Sequence, residues 1–479
     1  MTKLNLYERA CLVLLVFSAT VSVSSAQTFT TLLSFDGSNG ANPTFSSLVQ
    51  GLDGNLYGTT AGQVQGGGSG TVFKITSGGM LTTLHTFCAR RNCADGSGPY
   101  AGLELATNGT FYGTTAGGGV NSAGTTFKIS PSGTLTTLHV FDDLDDLASP
   151  YAGLVQANDG GFYGTAELGG RTGGGTNHGG IFRTTSTGLE TVGYDFCAEP
   201  FCPEGSHPFA GLIQGTDGNF YGTTSAGGAG KGGTVFKVTP DLHLMRLHSF
   251  ATIDGAYPYA GLIQATDGNF YGTTELGGAN GGGTIFQITS SGAFTTLYSF
   301  CAQASCIDGK TPVAGLTQAT DGNFYGTTEL GGANGAGTIF QLSSGGTLTT
   351  LYSFCAQTSC ADGEKPLAGL FQATDGSLYG ATSGGGTNNF GTIFRLAVGL
   401  GPFVETLPAF SKAGRALYIL GTNLTDATGV SFNGTAATFT IVSSSEIKTI
   451  VPTGATTGFV TVTTPSGTLS SNLVFRVAP

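Results

Sequence analysis

The amino-acid sequence predicts an all-β protein in which a seven-bladed β-propeller is followed by a smaller β-sandwich. The first observation is a Tyr-Gly motif that occurs seven times, at intervals of 55, 51, 58, 50, 54 and 54 residues: Tyr57, Tyr112, Tyr163, Tyr221, Tyr271, Tyr325 and Tyr379. The second is that the repeats contain short apolar runs and no 3.6-residue period. The third is a change of composition after Val398, where the repeat stops. A period in this range indicates one supersecondary unit repeated into an array or a closed ring.

Each repeat reads as four short strands. In the unit over residues 257–300, the runs 261–266 and 269–274 are joined by Asp267-Gly268, a strong hairpin signal. After a glycine-rich loop, residues 284–289 alternate in strand fashion, and 294–300 follow a tight turn. Four antiparallel strands per repeat are typical of a propeller blade.

The phase of the repeats distinguishes a closed ring from an open solenoid. The fourth-strand motif first occurs at residues 29–35, before the first Tyr-Gly unit, and the last unit lacks one. We therefore expect residues 29–35 to complete the blade begun by residues 365–397, which removes the open sheet edges. The long second-to-third and fourth-to-first loops then share one face, where ligand sites are favoured.

The N-terminus has the pattern of a secretory signal. Lys3 and Arg9 precede an apolar stretch over residues 10–23, and small residues end at Ala26, before Gln27. We expect cleavage between Ala26 and Gln27, with an uncleaved N-terminal anchor as the alternative. The domains are then a signal peptide (1–26), a propeller (27–398) and a C-terminal domain (402–479). The prediction is a secreted or cell-surface protein with no membrane insertion after cleavage.

Composition restricts the classes of partner. The net charge is −11, charged residues make up 10% of the chain, and no Lys/Arg cluster is present. These features argue against nucleic acid as a partner, because such binders carry a basic surface. We expect a monomer that has a glycan or protein partner at the cell exterior.

The cysteines predict local disulfides. Eight of the nine form Cys-x4-Cys pairs: Cys88/Cys93, Cys197/Cys202, Cys301/Cys306 and Cys355/Cys360. An even count at fixed spacing in an exported protein favours bridges. The alternative, a metal site or free thiols, needs a second ligand pair nearby, and the six histidines keep no fixed offset to the cysteines.

The last eighty residues resemble a known family. The motifs are Gly414 and the segments 417–424, 429–434, 451–455 and 458–463. They are similar to the IPT/TIG family of immunoglobulin-like domains, and the segment also shows about seven short strands, as a sandwich needs. The resemblance implies a structural spacer or a binding module, and it contributes no catalytic group.

The repeats also resemble a family. The segments 267–274 and 321–328 and the Gly-Thr-Ile-Phe motifs carry a likeness to the GloVer-type tandem-repeat proteins, an exported bacterial family named for its choice of C-terminal anchors. Residues 475–479 contain no sorting motif, so the resemblance does not extend to an anchor here. The family supplies no activity to carry over.

Metal binding is the one cofactor question that the sequence raises. An acidic residue recurs in the fourth-to-first loops: Asp36, Asp95, Glu204, Asp254, Asp308 and Asp362. It reads either as a turn residue or as part of a calcium surface. The cluster Asp142, Asp143, Asp145 and Asp146 is the best single calcium candidate. No other cofactor is expected, since the Gly-rich loops lack a following helix and a Gly-Lys-Ser/Thr motif.

No residue set identifies an enzyme. The repeated tyrosines favour packing between blades over a sugar platform, because they occur in every repeat. Glu167, Glu275 and Glu329 recur at the start of the long loops, and we interpret them as architectural rather than catalytic. The sequence therefore favours a non-catalytic binding or scaffold protein. The alternatives are a polysaccharide-acting hydrolase or lyase, with paired carboxylates, and a purely structural surface or adhesion component.

Overall fold

The computed structural model describes residues 27–64, 68–89, 91–142, 147–170, 177–197 and 199–478. The regular structure of these residues is β-strand, apart from three single-turn 3-10 helices: Arg91–Cys93, Ala304–Cys306 and Thr358–Cys360. No helix in these ranges has the length and apolar character needed to cross a membrane. The predicted signal peptide, including Ala26, lies outside the described residues, and Gln27 is the first residue described.

The repeat region, residues 28–397, forms seven four-stranded antiparallel sheets. Numbered by the position of their first strands along the chain, and written from first to fourth strand, they are as follows: sheet 1, Val49–Gln50, Leu56–Val64, Gly68–Ile75, Leu81–Thr86; sheet 2, Glu104–Leu105, Phe111–Thr115, Thr125–Ile129, Leu135–Val140; sheet 3, Val155–Gln156, Phe162–Ala166, Gly180–Thr184, Glu190–Asp195; sheet 4, Ile213–Gln214, Phe220–Thr224, Thr234–Val238, Leu244–Ser249; sheet 5, Ile263–Gln264, Phe270–Thr274, Thr284–Ile288, Phe294–Ser299; sheet 6, Thr317–Gln318, Phe324–Thr328, Thr338–Leu342, Leu348–Ser353; sheet 7, Phe371–Gln372, Leu378–Thr382, Thr392–Ala397, Thr28–Ser34.

The two ends of the repeat region meet in sheet 7. Its fourth strand, Thr28–Ser34, pairs antiparallel with Thr392–Ala397, so that Thr28 faces Ala397 and Ser34 faces Thr392. The chain therefore begins the repeat region with a strand that belongs to the last repeat. This pairing covers the strand edge that Thr392–Ala397 would otherwise expose.

The loop that leads into a sheet bonds to the second-to-third loop of the same sheet on one face. Ser97, in the loop that leads into sheet 2, pairs with Gly117 in the second-to-third loop of that sheet, and Ser206 pairs in the same way with Ala226. In sheet 3 the equivalent contact is a two-stranded sheet, Leu147–Ala148 with Leu168–Gly169. We call this side the loop face. The opposite side, with the tight first-to-second turns, is the turn face.

The Tyr-Gly-Thr motif packs each sheet against the next. The Tyr271 hydroxyl donates to Asp267 at 2.8 Å, and the ring stacks on Phe324 of sheet 6 with 4.2 Å between centroids. Gly272 is required because a Cβ there would lie 2.6 Å from the Phe286 ring. The Thr273 hydroxyl donates to the Ala314 carbonyl of sheet 6 at 3.0 Å. The motif is therefore structural, as the sequence predicted for its tyrosines.

The C-terminal region, residues 403–478, forms three further sheets. The strands of the first sheet, in spatial order, are Glu405–Leu407, Ala416–Leu420, Glu446–Ile450 and Phe439–Ile441. Those of the second are Thr435–Ala437, Gly429–Phe432, Val460–Thr464 and Gly467–Ser470. The third sheet is the parallel pair Phe410–Lys412 and Arg476–Ala478. Apolar residues of the two larger sheets, including Ile419, Phe432 and Val462, form one buried core. This arrangement is a β-sandwich with a core of its own.

The C-terminal region lies against the turn face of the repeat region. The Ser445 hydroxyl donates to the Leu52 carbonyl in sheet 1 at 2.8 Å. Thr422 and Thr374 of sheet 7 bond through their hydroxyls at 2.9 Å. Arg476 donates to the Thr216 carbonyl of sheet 4 at 2.6 Å. Because these contacts reach sheets on different sides of the repeat region, the C-terminal region leaves the loop face as the free side.

Candidate functional site

A cavity opens where the first strands of all seven sheets converge. It has a volume of about 400 Å3 and is walled largely by small residues, among them Ala101, Gly153, Gly211, Gly261, Gly315 and Gly369. These residues come from sheets 2 to 7, and Ser47 completes the wall from sheet 1. Small side chains let the first strands approach one another closely, so they form the innermost layer.

Aromatic side chains cluster at the opening of this cavity. The loop that leads into each first strand contains a proline, for example Pro258 in sheet 5. The aromatic residues follow this proline directly in sheets 2 to 5 and one residue later in sheet 1: Phe45, Tyr100, Tyr151, Phe209 and Tyr259. The Tyr151 ring stacks on Phe209 with centroids 5.0 Å apart, and Phe209 meets Tyr259 edge-on at 5.2 Å. Tyr100 lies 5.1 Å from Tyr151. We call these five residues the aromatic mouth.

Phe45 joins sheets that are not neighbours. It belongs to the segment before the first strand of sheet 1, and its ring meets Phe209 of sheet 4 at 5.1 Å. Sheet 1 has one more residue here than the others, Thr44, between Pro43 and the aromatic residue. The insertion lets Phe45 reach across the opening. All five aromatic residues are partly exposed, so their rings form an accessible apolar floor.

Carboxylates stand at the rim of the aromatic mouth. Glu167, Glu275 and Glu329 directly follow the second strands of sheets 3, 5 and 6. Their backbone N–H groups donate to the loop residues that precede the prolines, at 3.1 Å to Ser149, 3.1 Å to Tyr257 and 2.9 Å to Thr311. The three glutamates are partly buried by this arrangement.

The carboxylates and tyrosines of the mouth act on one another electrostatically. Burial, with the charge of Glu167, raises the pKa of Tyr151. Burial, with the charges of Glu275 and Glu167, raises the pKa of Tyr259. Burial also raises the pKa of both glutamates, and Glu329 adds to the effect on Glu275. The site therefore combines aromatic faces with carboxylates that are partly shielded from water.

The recurring loop acids make contacts with their own loops and with the fourth strands that precede those loops. Asp308 accepts hydrogen bonds from the Tyr298 hydroxyl at 2.8 Å and from the Ala302 backbone at 3.0 Å. Asp362 repeats the pattern with Tyr352 at 2.7 Å. The Asp95 Oδ2 atom lies 2.9 Å from the His85 Nε2 atom. These contacts favour the interpretation of the acids as residues that order the loop.

The predicted calcium cluster falls only partly within the described residues. Asp142 is described and makes a polar or electrostatic contact. Asp143, Asp145 and Asp146 lie outside the described residues, so calcium binding there stays a prediction.

The four predicted disulfides are present. They join Cys88 to Cys93, Cys197 to Cys202, Cys301 to Cys306 and Cys355 to Cys360, each within the loop that leaves a fourth strand. His178 has a ring nitrogen within 4.8 Å of the Cys197 and Cys202 sulfurs, a proximity that the sequence did not indicate. The two sulfurs are bonded to each other, so the group as it stands is a bridge and not a thiolate ligand set.

One carboxyl departs from the repeat on the inner wall. Glu104 in sheet 2 occupies a first-strand position that is Val155, Ile213 or Ile263 in other sheets. It accepts a hydrogen bond from the Gln156 backbone at 3.1 Å. Burial, together with the charge of Glu405 from the C-terminal region, raises its pKa to about 7.

Sequence reasoning missed the aromatic mouth and Glu104. Both could have been found by aligning the repeats and asking where they disagree. The residue after the loop proline is aromatic in sheets 2 to 5 but becomes Val313 and Leu367 in sheets 6 and 7.

The chain belongs to the Gloeobacter/Verrucomicrobia repeat family. The family profile matches residues 15–177, 143–319 and 208–441, which together cover most of the sequence. No curated protein matches the chain.

Solved structures share the fold at low identity. A fungal alcohol oxidase of the AA5 family, in complex with copper, gives a TM-score of 0.52 at 12% identity over 94% of this chain and 99% of that one. A putative 6-phosphogluconolactonase from Bacteroides fragilis gives 0.45 at 19% identity, over 69% and 86% of the two chains. The periplasmic gluconolactonase of Pseudomonas aeruginosa gives 0.42 at 16% identity, over 71% and 99%. The similarity to the alcohol oxidase is one of overall fold alone, and none of the three carries information on activity.

Proposed function

We propose that this chain is an exported, non-catalytic binding protein that holds a glycan at the aromatic mouth. The observation that carries the proposal is the convergence of Tyr151, Phe209 and Tyr259 over an open cavity, with Glu167 and Glu275 at its rim. Aromatic rings provide flat apolar surfaces, and carboxylates accept hydrogen bonds from sugar hydroxyls.

The proposal includes a finer description of the architecture. The repeat region is a seven-bladed propeller over residues 27–398, closed by its N-terminal strand, and residues 402–479 are an IPT/TIG-type domain. The seven four-stranded sheets and the pairing of Thr28–Ser34 with Thr392–Ala397 support the ring. The sandwich topology supports the second assignment. Because the C-terminal region covers the turn face, the mouth on the loop face is free to meet a partner.

Secretion is part of the same proposal. Four disulfides are stable in an oxidising environment outside the cytoplasm, and the N-terminal sequence has the pattern of a secretory signal. The protein would then meet polysaccharides as a monomer, either free or at the cell surface.

The test is a depletion assay with purified residues 27–479. The protein is incubated with a panel of insoluble polysaccharides, and the protein left in the supernatant is measured. We expect selective depletion by one polysaccharide and loss of that depletion in the double variant Phe209→Ala/Tyr259→Ala.

The matched control is Phe201→Ala. Phe201 is 93% exposed in a disulfide loop and makes no part of the aromatic mouth. This variant should bind as the wild type does. Depletion that survives the double variant would move the ligand away from the mouth, and no depletion by any polysaccharide would favour a protein partner or a purely structural role.

A second candidate function, polysaccharide cleavage, rests on one specific observation. Burial and the neighbouring Glu329 raise the pKa of Glu275, as a general acid requires. Release of new reducing ends from the polysaccharide that binds, abolished by Glu275→Gln, would favour this candidate. The binding proposal predicts no release.

A further inference from the structure

The rim of the aromatic mouth differs in charge from one sheet to the next. The residue after the second strand is Glu167, Glu275 or Glu329 in sheets 3, 5 and 6. In sheets 2, 4 and 7 the same position holds an uncharged residue, Ala116, Ser225 or Ser383. The equivalent residue of the repeat in sheet 1, Ala61, is also uncharged and lies within the longer second strand of that sheet. The negative charge is therefore concentrated on one arc of the rim.

The same arc carries the stacked rings. Tyr151 lies in the segment that enters sheet 3, Phe209 in that of sheet 4 and Tyr259 in that of sheet 5. The Glu167 N–H donates to the Ser149 carbonyl, two residues before Tyr151, and the Glu275 N–H donates to the Tyr257 carbonyl, two residues before Tyr259. Both glutamates are therefore held next to the segments that carry the rings, and their charges act on Tyr151 and Tyr259.

The ion pairs of the described residues do not involve these carboxylates. Three basic residues form ion pairs elsewhere. Their partners lie in turns of the turn face, and the pairs are Lys74 with Asp53, Arg183 with Asp159 and Lys237 with Asp217. Within the described ranges, no lysine, arginine or histidine forms an ion pair with the three rim glutamates.

Two basic groups occupy the remaining rim positions. His207 and Lys365 precede the loop prolines of sheets 4 and 7, beside the uncharged Ser225 and Ser383. Lys310 and Glu364 lie two residues before the prolines of sheets 6 and 7 and bond to the loops beside Glu329 and Ser383. With four carboxylates against two lysines, the rim favours a ligand that brings positive charge.

We propose that the aromatic mouth recognises a glycan built of amino sugars with free, protonated amines. An ammonium group is attracted both by carboxylates and by the faces of aromatic rings. The sugar ring would lie over Tyr151, Phe209 or Tyr259, with its amine directed to Glu167 or Glu275. This inference rests on the proposed glycan-binding function and names the class of glycan.

The experiment compares two oligosaccharides that differ only at nitrogen. Glucosamine oligomers and N-acetylglucosamine oligomers of equal length are titrated calorimetrically into residues 27–479 at about pH 6 and again at about pH 7, because burial raises the pKa of Glu167 and Glu275 above that of ordinary carboxyls. We expect the glucosamine oligomer to bind roughly tenfold more tightly, a preference that falls as salt is added.

Variants separate charge from stacking. Glu167→Gln/Glu275→Gln should remove the preference for the amine and retain the weaker affinity that both oligomers share. The control, Asp241→Asn, removes the charge of an exposed aspartate between the third and fourth strands of sheet 4, which is not part of the mouth. It should keep the preference.

The outcomes distinguish this inference from the proposed function. Equal affinity for the two oligomers, or binding of neither, would overturn the amine assignment. The depletion assay with neutral polysaccharides would then decide independently whether the mouth binds another glycan. A preference that survives Glu167→Gln/Glu275→Gln would also overturn the assignment, because the charge would have to lie elsewhere.

Discussion

The interior of the repeat region and its aromatic mouth differ in how constant their residues are from one repeat to the next. One interior position is tyrosine in all seven repeats. In two of them, Tyr221 and Tyr271, the ring stacks on a phenylalanine of the next sheet. The position of Tyr259 in the mouth varies between repeats and is Val313 in sheet 6 and Leu367 in sheet 7. Identity through the repeats therefore marks packing, whereas departure from the repeat marks the candidate site.

The strongest test of this comparison uses two tyrosines, one from each region. Tyr221 is fully buried, stacks on Phe270 at 3.9 Å and donates to Asp217 at 2.7 Å. We expect Tyr221→Ala to lower the free energy of unfolding by about 3–5 kcal/mol, as for other large aromatic truncations. Tyr259→Ala should cost less than about 1 kcal/mol, because the ring is partly exposed. Urea denaturation of both variants measures the difference, and equal losses would erase the distinction.

The next effect concerns Glu104, where sheet 2 breaks the apolar pattern of the inner wall. Its pKa rises from the ordinary value of 4.5 to about 7 in the folded protein. The folded state therefore retains a proton that the unfolded chain has released, and stability falls as pH rises from about 4.5 to about 7. The free energy of unfolding should fall by up to ~3 kcal/mol over this range, at ~1.4 kcal/mol per pKa unit, and Glu104→Gln should abolish this fall.

The measurement for Glu104 is the free energy of unfolding as a function of pH. Wild type and Glu104→Gln should have similar stability near pH 4 and diverge toward neutral pH, with the variant more stable. Parallel curves through this range would contradict the prediction. The charge of Glu405 adds to the effect of burial on Glu104, so Glu405→Gln should reduce the same slope in part.

A smaller effect is expected from the loop bridges. Cys301 and Cys306 are only five positions apart in the sequence, so removing the bridge with Cys301→Ser/Cys306→Ser should cost about 2 kcal/mol or less. Thiol titration of denatured residues 27–479 should find no free thiol in the wild type. Eight reactive thiols would show that the bridges do not form.

The smallest effect is expected at the acidic rim. Glu275→Gln removes a partly buried charge next to Glu329, so stability should stay within about 0.5 kcal/mol of the wild type or rise slightly. Thermal unfolding at neutral pH is sufficient to measure it. A large loss of stability would indicate an architectural role for Glu275, as the sequence interpretation had it.

The sequence predicted what the repeats share. The Tyr-Gly spacing and the Asp267-Gly268 type of turn sufficed for the all-β repeat fold, and the Cys-x4-Cys spacing sufficed for the disulfides. Such features depend on residues that are close in the chain or that recur in every repeat. They leave a periodic signal that a single sequence displays.

An alignment of the repeats marks the aromatic positions of the mouth, but the contacts between them left no such signal, because they depend on long-range closure. Phe45 and Phe209 are far apart in sequence and meet only once the sheets surround a common cavity. Glu104 and Glu405 interact only because the C-terminal region packs on the turn face. Neither contact follows from local propensity, so only the assembled structure reveals them.

The most direct test of the central claim is a calorimetric titration of two variants with the glycan that the depletion assay selects. Tyr259→Ala changes the mouth, whereas Tyr221→Phe keeps the interior ring and removes only its hydroxyl. The predicted result is at least about a tenfold loss of affinity for Tyr259→Ala, which is ~1.4 kcal/mol, and less than about a twofold change for Tyr221→Phe. Unchanged affinity in Tyr259→Ala would contradict the assignment of the aromatic mouth as the binding site.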